Sequence, residues 1–308
     1  MHKNLIINET TLFIDNFMGY ESVNSATEKI FSFLSVSSLW VSGLGFFKTY
    51  IAYILLGGNP SILVCGVVFL VTFCIYSLDK IVDIDKDFIN MPQRRSFLHG
   101  RRKMILPISI AAYVAAVGMT LLDKPIALPI IFIPFIANAF YGTKPFKSVP
   151  RLKDIPVMKN IVVALSWALV TVSLPAMHLA DSRIAPILMA IYFMLTKTFI
   201  DTILYDIRDI KGDRENNIRT MATLLGERRT ILVLLAVNST LILWLAIVNE
   251  SIRPLALAFI LYGYAYILYF RKQRNPLALD FFVEGQWLLI SLALMAIGWM
   301  NCSLLAGW

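Results

Sequence analysis

The chain has 308 residues, of which 58% are hydrophobic and 16% charged, with a formal net charge of +8 and a mean hydropathy of +0.70. A soluble domain carries about 45–50% apolar and about 25% charged residues, so these values exclude an ordinary soluble fold and point to a polytopic membrane protein. The positive charge follows the connections between apolar runs, which marks it as a topology signal; no nucleic-acid partner is expected.

The first thirty or so residues mix polar and apolar types and lack the compact hydrophobic segment of a secretory signal. Residues 1–34 read as an N-terminal cytoplasmic or interfacial segment, with an amphipathic helix over Ile6–Phe33. No low-complexity tract divides the rest, so residues 35–308 read as one transmembrane domain. A spanning helix needs about 20 mostly apolar residues. Nine such runs are predicted, near Leu39–Leu56, Pro60–Leu78, Met104–Leu122, Ala127–Tyr141, Val157–Leu174, Ile184–Leu204, Thr230–Val248, Leu255–Phe270 and Phe281–Met300. The fourth is short and contains Pro129 and Pro134, so a kink or tilt is expected there. The predicted fold class is all-α, a helical bundle of nine transmembrane helices around a central cavity.

The connections divide by charge. Twenty-one Lys and Arg residues fall between spans two and three, four and five, six and seven, and eight and nine, against three (Lys124, Arg183 and Arg253) on the opposite side. The positive-inside rule then places the N-terminus and the basic loops in the cytoplasm and the C-terminus outside the cell membrane. An odd number of spans satisfies both ends.

Acidic residues are as unevenly spread. Nine of the 20 lie in two stretches, DKIVDIDKD (Asp79, Asp83, Asp85, Asp87) and DTILYDIRDIKGDRE (Asp201, Asp206, Asp209, Asp213, Glu215). Each stretch follows a long apolar run, which suggests two related halves with the site between them. Asp79, Asp83 and Asp87 repeat every four residues, as do Tyr205, Asp209 and Asp213, so each set lines one helix face. Like charges at that spacing repel. A hard divalent cation relieves the repulsion, because it takes oxygen ligands and bridges carboxylates to phosphate. Asp79, Asp83, Asp87, Asp206, Asp209 and Asp213 are therefore the candidate metal ligands. Arg94, brought back by Asn90 and Pro92, suits phosphate oxygens. Arg208 and Lys211 are interleaved with the second set, and Gly212 permits a tight turn. A solvated, salt-bridged pair of loops would also explain the charges. The three cysteines and three histidines are scattered and suggest neither disulfides nor a zinc site.

The chain resembles the UbiA superfamily of intramembrane prenyltransferases. The family's first motif, N-x-x-x-D-x-x-x-D with an N-x-P-x-R-P tail, is matched by Asp79, Asp83, Asp87, Asn90, Pro92 and Arg94. Its second, Y-x-x-x-D-x-x-x-D with an Arg-Thr and leucine continuation, is matched by Tyr205, Asp209, Asp213, Arg219, Thr220, Leu224, Leu225 and Gly226. Two positions depart from the pattern: Asp79 stands for the family's Asn, and Arg95 for the Pro after the motif arginine. Both lie at the diphosphate end, and they leave the acceptor open.

The resemblance implies nine helices and magnesium-dependent transfer of a prenyl group from a polyprenyl diphosphate to an aromatic or glycerol-phosphate-type acceptor within the lipid bilayer, releasing diphosphate. It makes Asp83, Asp87, Asp209 and Asp213 the catalytic carboxylates, holding magnesium on the diphosphate. Arg94, Arg208 and Lys211 share the leaving-group charge. Lys144, Lys153 and Lys159 are candidates for an anionic acceptor. Tyr76, Tyr141 and Tyr205 are candidates to face the allylic cation, and Asn138 lies near the expected cavity.

Two other classes were weighed. A cation-coupled transporter also gathers carboxylates in a bundle, but near the midplane, whereas these acids lie at predicted cytoplasmic ends. A CDP-alcohol phosphotransferase would carry an Asp-Gly pair, and the sequence has none.

Overall fold

An apolar run inside a bilayer must satisfy every backbone N–H and C=O within its own segment, which leaves the helix as its only open-ended form. The structure, a computed structural model, describes residues 33–34, 37–82, 102–142, 155–179, 183–215, 218–271 and 276–305. Eleven α-helices occur among them. They are α1 Leu39–Leu55, α2 Ile62–Val82, α3 Arg102–Asp123, α4 Leu128–Gly142, α5 Met158–His178, α6 Ile184–Glu215, α7 Met221–Leu225, α8 Glu227–Leu245, α9 Arg253–Tyr269, α10 Pro276–Phe282 and α11 Gln286–Leu305. Hydroxyls inside the spans bond back to their own helix: Ser42, Thr49, Thr72, Ser109, Thr120 and Thr171 each donate to the carbonyl four residues earlier at 2.6–2.9 Å. Those polar side chains therefore place no unpaired donor in lipid.

Among the described residues six helices are long and apolar enough to cross a membrane, and three shorter apolar helices occupy the places of predicted spans one, four and eight. The chain is thus a multi-pass, all-α membrane bundle. Met104, Leu106, Ile108, Ile110 and Val114 on α3 are exposed. In water such a face would be a liability; in a bilayer it is where the helix meets lipid.

Helix α1 packs against α2, α5, α6 and α11, while α5 packs against both α4 and α6. At Gly45 of α1 any Cβ would collide with Thr72 Oγ1 of α2; small residues let membrane helices come this close. One buried cluster joins α1 to α5, α6, α8, α9 and α11, and a second joins α1 to α2, α3, α4 and α5. Between these clusters the ends of α2, α6 and α10 converge on one cavity.

Two expectations are corrected. Helix α6 runs 32 residues without a turn at Gly212, which is buried within it. At 1.5 Å per residue that is about 48 Å, well beyond the roughly 30 Å hydrocarbon core, so the acidic stretch is the protruding end of a spanning helix. It stays helical because α5 and α7 pack along it. The predicted ninth span is broken: α10 ends at Phe282, three residues turn, and α11 starts at Gln286. Gly285 allows the break, since a Cβ there would strike the Phe281 carbonyl. In α4, Pro129 sits in the first turn, where a missing N–H costs nothing, and Pro134 is interior. The expected N-terminal amphipathic helix lies outside the described residues apart from Phe33.

Candidate active site

A period-four row on α6 carries the site. Asp201, Tyr205 and Asp209 all line a cavity of about 310 Å³, joined by Asp206 and Arg208 from the same helix. From the end of α2 come Tyr76, Asp79 and Lys80, and from the start of α5 come Lys159 and Asn160. A smaller space of about 180 Å³ adjoins it, sharing Tyr76, Asp79 and Lys159 and continuing along Trp167, Ser166, Asn138 and Pro134. Asp79 and the α6 carboxylates, 122 residues apart when counted from Asp79 to Asp201, therefore meet at one cavity.

Asp206 and Asp209 on α6 each have a defined partner. Asp206, 3% exposed, accepts from Asn160 Nδ2 at 2.9 Å and lies 3.7 Å from Lys159 Nζ. Asp209 receives a bidentate fork from Arg208, with Nε at 2.8 Å and the second terminal nitrogen at 2.9 Å. The remaining terminal nitrogen of Arg208 donates to Asp280 on α10 at 3.3 Å. The guanidinium also lies 4.6 Å from the Tyr205 ring centre, a cation–π contact that adds to its fixed orientation. Tyr76 stacks on Trp167 with ring centres 5.6 Å apart.

Of the residues singled out from sequence, Asp79, Lys159, Tyr205, Asp206, Arg208 and Asp209 come together around the cavity. Asp213 and Lys211 are not among its lining residues. Lys211 is exposed; two residues beyond Asp209 is about 200° round the helix, which turns it off the acidic face. Asp83, Asp87, Arg94, Lys144 and Lys153 lie outside the described residues, as does the side chain of Tyr141. Among the described residues no three acidic, His or Cys side chains cluster tightly enough to hold a metal ion. The donors present are carboxylate oxygens, the type a hard divalent cation takes.

Sequence reasoning missed a third acidic source. Asp280 at the end of α10 and Glu284 within the α10–α11 break both line the cavity, and the Asp280 carbonyl accepts from Trp40 Nε1 on α1 at 3.0 Å. It also missed two buried lysines inside apolar spans, Lys48 on α1 and Lys197 on α6, 8% and 0% exposed. Lys197 Nζ donates to the Phe259 carbonyl at 3.0 Å and lies 4.8 Å from the Tyr266 ring centre. Asp201, one turn on, accepts from Tyr266 Oη at 3.2 Å and Gln286 Nε2 at 3.3 Å. The available signal was the lone charge within a hydrophobic run, which is rare enough to mark function or a buried partner.

Residues 30–290 match the UbiA prenyltransferase family. The chain is 28% identical over 160 residues to the digeranylgeranylglyceryl phosphate synthase of Sulfolobus acidocaldarius, covering 51% of this chain and 54% of that one. It is 28% identical over 176 residues to the enzyme of the same name from Sulfurisphaera tokodaii, covering 53% and 59%. The chain thus spans about half the length of the curated relatives it matches. A UbiA homologue from Archaeoglobus fulgidus, solved bound to GPP and Mg2+, superposes with a TM-score of 0.61 at 16% identity, covering 86% of this chain and 99% of that one. With its two acid-bearing helix ends on one cavity and a family match over most of its length, this chain belongs to the UbiA prenyltransferase family.

Proposed function

We propose that this chain transfers a prenyl group from a polyprenyl diphosphate to an acceptor within the membrane, releasing diphosphate. The observation that carries the reading is the meeting of Asp79, Asp206 and Asp209 with Lys159 and Arg208 around one cavity opening. The relatives' synthase names and the homologue bound to GPP and Mg2+ support it.

Magnesium would be held by Asp79, Asp83, Asp87, Asp206, Asp209 and Asp213, and would supply charge neutralisation at the leaving diphosphate. Asp83, Asp87, Asp209 and Asp213 are the proposed catalytic set. Arg208, already oriented by Asp209 and Asp280, presents fixed donors where negative charge develops. Arg94 would add a second fork, and Lys211 a longer-range charge. Tyr205 and Tyr76 wall the space next to that charge and would shield an allylic cation from water, with Tyr141 beside them. Lys144, Lys153 and Lys159 would receive an anionic part of the acceptor, aromatic or glycerol-phosphate in type. Nine crossings, one domain over residues 35–308 and a cytoplasmic opening complete the reading.

Diphosphate release from geranylgeranyl diphosphate by the protein in nanodiscs tests it. Release is expected to need magnesium, to stop with a chelator, and to fall at least a hundredfold in Asp209→Ala with the helical content unchanged. Lys197 and Asp201, buried inside a span, are what a cation-coupled transporter would also use. Uptake of a cation or solute into liposomes, with no donor consumed, would favour that second reading.

A further inference from the structure

The cavity has two ends. Helix α1 enters it at Trp40 and reaches Lys48 eight residues, or about 12 Å, further on. Helix α6 runs the other way, from Asp201 to Asp209 over the same distance. Trp40, Asp209, Arg208 and Asp280 thus mark the opening, and Lys48 and Asp201 the inner end, with Glu284 four residues past Asp280 between them.

Two inner-end groups are buried without being satisfied. Lys48 and Glu284 are each 8% exposed. Neither side chain has a hydrogen bond or ion pair among the described residues; Lys48 Nζ lies over the face of Trp287, 5.4 Å from its ring centre. Yet both line the same cavity, and Lys48 lies in electrostatic reach of Glu284 and Asp201. A largely buried charge with unused hydrogen-bonding capacity is costly, and a group bound between the two would satisfy both. No ion pair joins them among the described residues, and both border the open cavity.

We infer that the Lys48–Glu284 gap is the subsite for the acceptor's nucleophilic hydroxyl, with Glu284 as the group that takes its proton. The inference rests on the prenyl-transfer reading and deepens it. A phosphate or carboxylate placed there would face Glu284 and Asp201, and a cation would face Lys48. A neutral hydroxyl accepts from the Lys48 ammonium and donates to the Glu284 carboxylate at once. The step balances: the bond between the prenyl C1 and the bridging diphosphate oxygen breaks with its electron pair on diphosphate. A lone pair of the acceptor oxygen forms the new C1–O bond, and the hydroxyl proton passes to Glu284. An acceptor that also carries a phosphate would leave that group toward Lys159 at the opening.

The test uses the full chain in nanodiscs with geranylgeranyl diphosphate and magnesium. Two probes are offered, a long-chain glycerol monoether and a long-chain alkylphenol. Glu284→Gln is expected to leave donor affinity, read by calorimetry, within about threefold. It should lower transfer to the aliphatic hydroxyl by roughly 10²–10⁴-fold, the usual scale of general-base assistance. The loss on the phenol should be at least tenfold smaller, because a more acidic hydroxyl needs less help, and Glu284→Asp should recover part of the rate. Lys48→Met should raise acceptor KM more than it lowers kcat. Equal losses on both probes, or loss of donor binding in Glu284→Gln, would reduce Glu284 to a structural role and overturn the inference. Diphosphate release by the unaltered chain without transfer to either hydroxyl would overturn it too, while leaving the donor reading standing. No donor consumption at all would remove the prenyl-transfer reading itself, and this inference with it.

Discussion

Arg208 illustrates how one side chain ties three parts of the chain together. Its fork grips Asp209, its third nitrogen reaches Asp280 on α10, and its face lies against Tyr205. Lysine offers a single point charge and cannot reproduce this geometry. Arg208→Lys is therefore expected to lower prenyl-donor use at least tenfold, mainly through donor KM, as measured by diphosphate release over a range of donor concentrations. A variant with unchanged KM and kcat would mean that charge alone matters at this position. The α6 row was legible at this scale because a helix repeats every 3.6 residues, so Tyr205 and Asp209 share a face however the bundle packs. Lys48 and Glu284 were not. Their meeting depends on α1 and the α10–α11 break lying side by side, more than 230 residues apart in sequence.

At the scale of elements, α6, α8 and α9 lock together through buried polar groups. Lys197 and Asn238 donate to the carbonyls of Phe259 and Ile260 on α9, at 3.0 and 3.1 Å. Both reach α9 only because Gly263 leaves space: a Cβ there would collide with Asn238 Oδ1 and come within 2.8 Å of Lys197 Nζ. Gly263→Ala should cost about 1–3 kcal/mol, the usual penalty of overpacking. It should lower the thermal midpoint in detergent without changing metal dependence. An unchanged midpoint would show that α9 shifts freely at this crossing. The positions of the spans were legible from hydrophobic length, yet two boundaries moved. α6 runs eleven residues past its predicted end at Leu204, and the last span is split at Val283–Gly285. Hydropathy records where lipid begins, whereas helices end where their backbone loses packing partners or meets a turn.

For the whole molecule, orientation rests on the 21-to-3 asymmetry of basic residues in the connections. In a background free of other cysteines, Lys211→Cys should be labelled by a membrane-impermeant maleimide only from the cytoplasmic side. Ser251→Cys, exposed between α8 and α9, should be labelled only from the other side. The reverse pattern would invert the proposed topology. The sequence by itself determined the class of molecule, most of its spans and the acidic row on α6, because each of these follows from local properties: hydrophobic length, helical period and net charge. Only the tertiary structure decided that Asp280 and Glu284 join Asp79 and the α6 carboxylates, that Arg208 is held between Asp209 and Asp280, and that Lys48 and Glu284 line one cavity. Those are relations between distant segments, and no local period encodes them; they come from which helices pack as neighbours and how far each is slid along the next.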